Sequence, residues 1–457
     1  MWLVHKKFKQ PQALFSITIK CIMDRLISRY AHIFKKEGFF FLYNARTNSF
    51  YELSEEAVSF LKNFADGKIN CLDKDEAEFV ESLIEKKIIV PKDEDDEYLE
   101  EEEVKYRIRA FGKDCLDLTL VPTISCNLKC PYCFETSKPD GKMSDSVIKR
   151  LVEFINQYPS RYYGITWFGG EPLLCMDQIE TILTELQDCD KKLSYHRMIT
   201  NGTLWNERAF NLFMKFPLDS VQITFDGGRS NHDKKRFFSN GNGTFDVILK
   251  NAKLLKTNFQ NTRLSFRINV DKTTQNDYEE LEMQILNDLG HENVNVYPGI
   301  LISNGKCRDE LLFSFEEEAD FRNNLTNREN VFSTYPSKAS KGCCATSVGS
   351  FVVGPKGELY CCWEHVGNEK MIIGSIIENE HNDTRLNNAF ILHGNCFTDA
   401  TCRSCGLLPV CTGGCPKKRV ENKLYGANHT LCAFYKGKSG EVLNDILYKY
   451  YKNINQK

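Results

Sequence analysis

The spacing of apolar and polar positions changes several times along the chain, and each change marks a new kind of segment. FFFLYN over 39–44 and SFYEL over 49–53 read as two strands joined by a turn containing Ala45, Arg46, Thr47 and Asn48. Ser54 then precedes Glu55 and Glu56 as a helix start, and Ala57, Phe60, Leu61 and Phe64 make one apolar face. A second helix over 74–87 places Ala77, Val80, Leu83 and Ile84 on one side, before Ile88-Ile89-Val90 ends the unit. The pattern predicts a small winged-helix-like domain over 1–92 with an exposed strand edge.

After Pro91 the chain turns acidic, with Asp93, Glu94, Asp95, Asp96 and Glu97 followed by four glutamates over 100–103. Such a run predicts a self-repelling, solvated linker over 93–110; an acidic binding tail is the alternative. Beyond it, short β-rich runs over 116–122, 164–168, 197–200, 220–225, 264–270 and 294–297 alternate with helical ones. The helices fall over 146–156, 176–187, 245–256 and 278–289, as crossovers of a parallel sheet require. Six such repeats predict an α/β fold over 111–330, a partial (β/α)6 TIM-like barrel. A cysteine-rich region over 331–435 and a terminal helix over 436–457 complete the chain.

A length of 457 residues with 42% hydrophobic content supports two or three domains. The formal charge of -3, from 59 basic and 62 acidic residues, gives no pull toward nucleic acid or an anionic membrane. Residues 1–30 mix basic and apolar side chains without an apolar stretch ending in a small-residue cleavage site, and no apolar run approaches the ~20 residues of a membrane span. These features predict a cytoplasmic protein with neither nucleic acid nor membrane as partner. The nineteen cysteines cluster at metal-ligand spacings in two regions of a long chain, which favours ligation in a reducing compartment over disulfides.

Candidate chemistry concentrates where predicted strands end, the place where barrel active sites are built. Cys126-Asn-Leu-Lys-Cys130-Pro-Tyr-Cys133 follows the first strand of the repeats. Three thiols at offsets of four and three can hold three corners of an iron-sulfur cube and leave one iron open to a substrate or cofactor; structural zinc is the alternative. The second strand runs into Phe168-Gly169-Gly170-Glu171-Pro172. The glycines there allow a ligand to come close, Glu171 offers an acceptor for an ammonium group, and Pro172 stiffens the exit. The third ends in Thr200-Asn201-Gly202 and the fourth in Thr224-Phe225-Asp226-Gly227, with His232 and Arg236 shortly after. Arg267 and Asn269 share a face of the fifth. Taken alone, Asp226 and Arg236 fit a salt bridge equally well. Cys175 and Cys189 fall on a helical pattern as small apolar residues.

On these motifs, residues 116–297 resemble the radical S-adenosylmethionine (SAM) enzymes, which are oxidoreductases in the broad sense. The resemblance implies that Cys126, Cys130 and Cys133 bind a 4Fe-4S cluster whose open iron chelates SAM. Reductive cleavage would then release methionine and a 5'-deoxyadenosyl radical that takes a hydrogen from the substrate. It further implies that Gly169, Gly170, Glu171 and Pro172 meet the amino group of SAM, with Asn201, Thr224, Asp226, Arg236 and Asn269 lining its ribose and carboxylate. No catalytic base is assigned.

In the second cysteine region, Cys344, Gly357 and Cys362 are separated by twelve and four residues, and Cys402, Cys405, Cys411 and Cys415 by gaps of two, five and three, with Cys432 after them. This resembles the seven-cysteine pattern of a SPASM domain; zinc is the competing ligand set. The resemblance implies two auxiliary 4Fe-4S clusters, for a total of three. Cys402, Cys405, Cys411 and Cys432 would hold the distal one, and Cys344, Cys362 and Cys415 the nearer. The nearer cluster's fourth ligand is unassigned: Lys338 stands where an upstream cysteine is usual, and either Cys343, Cys361 or Cys307 substitutes or the iron stays open to a substrate group. The doublets also leave Cys343 and Cys361 as alternatives in the register.

The N-terminal unit resembles the peptide-recognition domains, related to the pyrroloquinoline-quinone chaperone family, that bind a leader peptide as an added strand. A cap that only packs on the catalytic domain is the alternative. The combination implies maturation of a ribosomally made precursor peptide by a thioether or carbon-carbon cross-link, with flavodoxin or ferredoxin as electron donor. Auxiliary clusters suit such chemistry because their potentials span ~1 V and can carry an electron away. The first alternative is an anaerobic sulfatase-maturating enzyme. In that subfamily an Asp usually follows the cysteine at the Cys362 position, whereas Trp363 and Glu364 follow here. The second is a non-catalytic iron-sulfur carrier or scaffold.

Overall fold

The computed structural model describes residues 24–69, 71–133, 141–301, 309–339, 342–378 and 384–455. Residues 1–23, most of the stretch read for a targeting signal, and Cys307 lie outside them. The chain divides into two compact units that do not follow its linear order: Met1–Arg109 with Ala319–Gly342 and Asn395–Lys457, and Ala110–Glu318 with Cys343–Gly394. No described helix is long and apolar enough to cross a membrane.

The first unit opens with β1 (Arg25–Ile27), β2 (Ala31–Lys36), β3 (Phe39–Asn44), β4 (Ser49–Leu53), α1 (Glu55–Ala65), α2 (Lys74–Glu85) and β5 (Ile89–Pro91). The strands β2, β3 and β4 form an antiparallel sheet in that order, and β1 pairs with β5. Ser54 caps α1 by accepting from Ala57 N at 3.2 Å. Asp73 and Glu76 form a reciprocal capping box on α2. Alternation along β3 buries both its faces. Leu42 joins Phe60, Leu61, Phe64, Val80 and Leu83 from the two helices. Phe41 and Tyr43 join Val442, Leu443, Ile446 and Leu447 of the C-terminal helix Glu441–Asn455.

The acidic stretch expected as a solvated linker is instead the helix α3 (Glu94–Phe111). Its charges are matched rather than left to repel. Asp95 is buried and accepts from Ser28 Oγ at 2.9 Å and Arg29 N at 2.7 Å. Glu94 pairs with Arg46 and Lys87, each at 2.8 Å, and Glu103 with Arg107 at 2.6 Å and Arg403 at 2.8 Å. Acids in the first turn also favour the helix dipole, and Leu99 supplies a buried apolar anchor.

In the second unit, β6 (Cys115–Leu120), β7 (Tyr162–Trp167), β8 (Lys192–Thr200), β9 (Ser220–Phe225), β10 (Arg263–Val270) and β11 (Val294–Ile300) run parallel. Helices α4 (Asp145–Gln157), α5 (Met176–Glu185), α6 (Glu207–Lys215), α7 (Arg229–Lys235), α8 (Phe245–Asn258) and α9 (Tyr278–Leu289) lie in the connections. Three strands of the cysteine-rich region, β12 (Ser350–Val353), β13 (Glu358–Tyr360) and β14 (Gly374–Ser375), extend the sheet on the β6 side. The result is an α/β fold around a largely parallel nine-stranded sheet that does not close on itself among the described residues. Leu118, Ile165, Ile223 and Phe266 point to one buried face. The other carries Asp117, Thr166, Gln222, Thr224 and Arg267 at half-buried positions, so the sheet presents a polar side beneath the strand ends.

Candidate active site

The segment carrying the three cysteines is pinned from two sides. The turn after β7 docks on it: Gly170 N donates to the Thr123 carbonyl at 3.2 Å and Glu171 N to the Ser125 carbonyl at 3.0 Å. A Cβ on Gly169 would sit 2.3 Å from the Thr123 oxygen, and one on Gly170 2.2 Å from the Ile124 oxygen. The close approach these glycines allow is therefore to the chain's own backbone, whereas the sequence suggested a ligand. On the other side Lys129 N donates to the Phe237 carbonyl at 3.0 Å.

Glu171 joins the ends of β7 and β8. Its carboxylate is fully buried and accepts from Thr200 Oγ1 at 2.7 Å, Asn201 N at 2.7 Å and Leu173 N at 3.1 Å. Burial raises its pKa against the pull of these donors. A carboxylate offers about four lone-pair sites, so three protein donors leave room for an ammonium group. Pro172 begins the short turn that Glu171 caps. Asn201 in turn reaches the cysteine loop, its Nδ2 lying 2.8 Å from Asn127 Oδ1 and 3.8 Å from Cys126 Sγ. Asn127 Nδ2 donates to Thr203 Oγ1 at 2.9 Å, which closes the network.

A second network gathers at Tyr132, between Cys130 and Cys133. Its hydroxyl donates to Asp226 Oδ2 and accepts from Arg236 Nη1 at 3.0 Å and Asn269 Nδ2 at 3.3 Å. Burial and the Asp226 carboxylate hold the phenol well above its ordinary pKa. Arg236 also pairs with Asp226 at 3.7 Å. Behind them, His232 Nδ1 accepts from Asp226 N at 3.2 Å, which leaves Nε2–H to donate to Thr244 Oγ1 at 3.0 Å; that hydroxyl donates to the Arg236 carbonyl at 2.8 Å. His232 is thus held neutral, its pKa lowered by burial and by Arg236. The fold brings Asp226, Arg236 and Asn269 together, while Thr224 stands on β9 opposite Arg267 of β10.

Residues 120–284 match the Radical SAM superfamily. The chain is a radical SAM enzyme. It is 22% identical over 463 residues to a radical SAM cyclopropyl synthase of Paramaledivibacter caminithermalis, an alignment covering 90% of this chain and 94% of that one. It is also 24% identical to a cysteine-type anaerobic sulfatase-maturating enzyme of Clostridium novyi, over 73% of this chain and 96% of that one. The solved anSMEcpe structure with bound AdoMet shares the fold, at a TM-score of 0.57 and 19% identity over 74% of this chain and 98% of that one.

The family implies a 4Fe-4S cluster and SAM, and two observations in this radical SAM enzyme fit them. Cys126, Cys130 and Cys133 supply three sulfur donors on one half-buried loop. Asp226 Oδ1 and Arg236 Nε are buried without a hydrogen-bond partner, which suits a polar cofactor beside them. Among the described residues no three His, Cys, Asp or Glu side chains converge into a group that could hold a metal, so the loop collects the donors without closing them. When bound, the cluster and SAM supply one-electron reduction and hydrogen abstraction. The chain's own part is to orient Cys126 through Asn201 and to hold the charges of Asp226 and Arg236 in place through Tyr132.

The C-terminal cysteines fall in both units. Cys343 and Cys344 have their sulfurs 4.0 Å apart, and Cys344 is held above its ordinary pKa by its hydrogen bond with Cys343, by burial and by the neighbouring Cys343 and Cys362. Cys402, Cys405, Cys411, Cys415 and Cys432 belong to the smaller unit. Against the lowering effect of burial, Lys436 there is held above its ordinary pKa by Cys405, Cys432 and Cys402. Cys175 is buried just before α5 and Cys189 half-buried just after the turn that follows it, so neither lies within that helix. Sequence reasoning assigned no role to Tyr132, Asn127 or Thr203. The aromatic ring between Cys130 and Cys133 was the available signal for Tyr132.

Proposed function

We propose that this radical SAM enzyme is a peptide maturase that takes a hydrogen from a ribosomally made precursor peptide and installs a thioether or carbon-carbon cross-link. In this reading residues 1–92 recognise a leader segment, residues 331–435 carry two auxiliary 4Fe-4S clusters, and a flavodoxin or ferredoxin supplies electrons. The observation that carries it is the N-terminal unit. The cyclopropyl synthase aligns with 90% of this chain, whereas the Clostridium novyi enzyme is matched almost in full by 73% of it. The described N-terminal sheet also leaves β2 and β4 paired on one side only, the geometry that strand addition uses.

Sulfatase maturation is the second reading, favoured by the fold shared with anSMEcpe and by the Clostridium novyi relative. Against it stands Trp363 after Cys362, stacked on Phe168 with ring centroids 5.5 Å apart, where that subfamily usually has Asp. The test is a search of the neighbouring reading frames for a short peptide, and mass spectrometry of that peptide after anaerobic reaction with SAM. A cross-linked peptide supports maturation. An unmodified peptide, together with formylglycine in a sulfatase peptide, supports the second reading. A protein that still folds after deletion of residues 1–90 should bind no precursor; unchanged affinity in such a protein removes the leader-binding part.

A further inference from the structure

On the polar side of the parallel sheet, Arg267 lies two residues before Asn269 on β10, about 7 Å nearer the strand's start than the side chain that meets Tyr132. In register it stands between Thr224 of β9 and Tyr297 of β11. Its Nε donates to Asn269 Oδ1 at 2.8 Å. The Tyr297 hydroxyl, which donates to Gln222 Oε1 at 2.7 Å, lies against the same guanidinium. Gly299 completes the seat. A Cβ there would fall 2.3 Å from Arg267 Nε and 2.7 Å from its Cζ, so the guanidinium occupies space that any side chain at 299 would fill.

This half-buried cation has no ion pair among the described residues. Asp226 and Asp271, the acids that follow β9 and β10, pair with Arg236 and Lys235 instead. Of the five guanidinium N–H groups Asn269 takes one and Tyr297 can take one more, which leaves at least three. A guanidinium fixed in this way is set before anything binds, and its forked edge matches a carboxylate. We propose that Arg267, held by Asn269, Tyr297 and the Gly299 seat, is a specificity-determining residue that binds a carboxylate of the substrate beside the SAM site. The choice of an amino-acid carboxylate rests on the peptide reading above. Its source is an Asp or Glu side chain or the chain's terminal carboxylate, which present the same planar anion.

The test uses the full-length, iron-loaded enzyme with SAM, kept anaerobic, and follows phenylglyoxal labelling of Arg267 by tandem mass spectrometry. Three probes compete with the label: N-acetylglutamate α-amide, with a side-chain carboxylate only; N-acetylglutamine, with a terminal carboxylate only; and N-acetylglutamine amide, with neither. At least one acid should protect Arg267 at a concentration about tenfold or more below that of the neutral amide, and the acid that does so identifies the source. The exposed Arg208 should label equally throughout. Gly299→Ala displaces the guanidinium without removing it and should abolish the preference for acid over amide. Tyr297→Phe should weaken that preference, and it carries the test where Gly299→Ala fails to fold. Equal protection by all three probes, or by none, would overturn the proposal, as would a folded Gly299→Ala protein that keeps the full preference. Complete protection by SAM before any probe is added would assign the guanidinium to the cofactor and overturn it as well. Failure of the peptide reading would show instead as an unmodified precursor in the mass-spectrometric assay, with the acid preference at Arg267 intact.

Discussion

Replacing Gly170 with alanine tests whether the turn after β7 holds the cysteine loop in place. The added methyl would lie 2.2 Å from the Ile124 oxygen and 2.3 Å from the Ser125 oxygen, where contacts under 3.0 Å essentially never occur. The two backbones must therefore part by about 0.8 Å, the gap between 2.2 and 3.0 Å. That movement breaks Gly170 N to Thr123 O and Glu171 N to Ser125 O, now 3.2 and 3.0 Å. Two lost hydrogen bonds at about 1 kcal/mol each and overpacking of about 1–3 kcal/mol give a loss of about 3–5 kcal/mol. A unit of this size would melt roughly 10 °C lower. Calorimetry of the apoprotein measures that shift, and iron analysis after reconstitution should show the first cluster depleted. Gly141→Ala is the control, because no atom lies within 4 Å of its added methyl. A Gly170→Ala protein that melts with the parent and takes up full iron would refute the reasoning.

Cys126→Ala should abolish 5'-deoxyadenosine formation and remove the iron of one cluster only, as chromatography and iron analysis would show; loss of all iron would contradict the separation of the cysteine sets. Tyr132→Phe removes the hydroxyl shared by Asp226, Arg236 and Asn269 and should cost about 1–3 kcal/mol in urea unfolding, and a neutral outcome would mean those groups re-pair without it. His196 is buried between Trp167 Nε1–H, which donates to its Nε2 at 2.7 Å, and the Pro217 carbonyl, which accepts from Nδ1 at 3.0 Å. Burial lowers its pKa from 6.5 to about 4, so its contribution to stability is whole above pH 6.5 and is lost as pH falls through 4. Unfolding free energies measured between pH 7 and 4 should fall by about 3 kcal/mol on this account, and His196→Gln should flatten that slope. An unchanged slope would sink the assignment.

The catalytic sheet was legible because each strand is a short alternating or apolar run bounded by turn residues. β9 and α9 have the predicted bounds, and β8 begins only five residues early, at Lys192 rather than 197. The cysteine loop and the GGEP turn stand out in the sequence as candidate chemistry, but the glycines' backbone role does not. That role depends on residues 123–125 lying against them, and no local pattern records a contact between separate segments. α3 was misread because composition counts charges without their partners, and Arg46 and Arg403 stand far away in sequence. β2 was missed because AHIFKK mixes charge with apolar residues at an edge. The C-terminal helix itself was predicted, but its docking on β3 was equally hidden, since its apolar stripe names no partner.

The central claim is that Cys126, Cys130 and Cys133, with the networks at Glu171 and Tyr132, form a radical-generating SAM site. The most direct measurement is 5'-deoxyadenosine and methionine produced by the reconstituted, anaerobically reduced protein supplied with SAM. The account predicts both products in equal amounts, and neither from Cys126→Ala. A protein that holds its full iron-sulfur complement and yields neither product would contradict it.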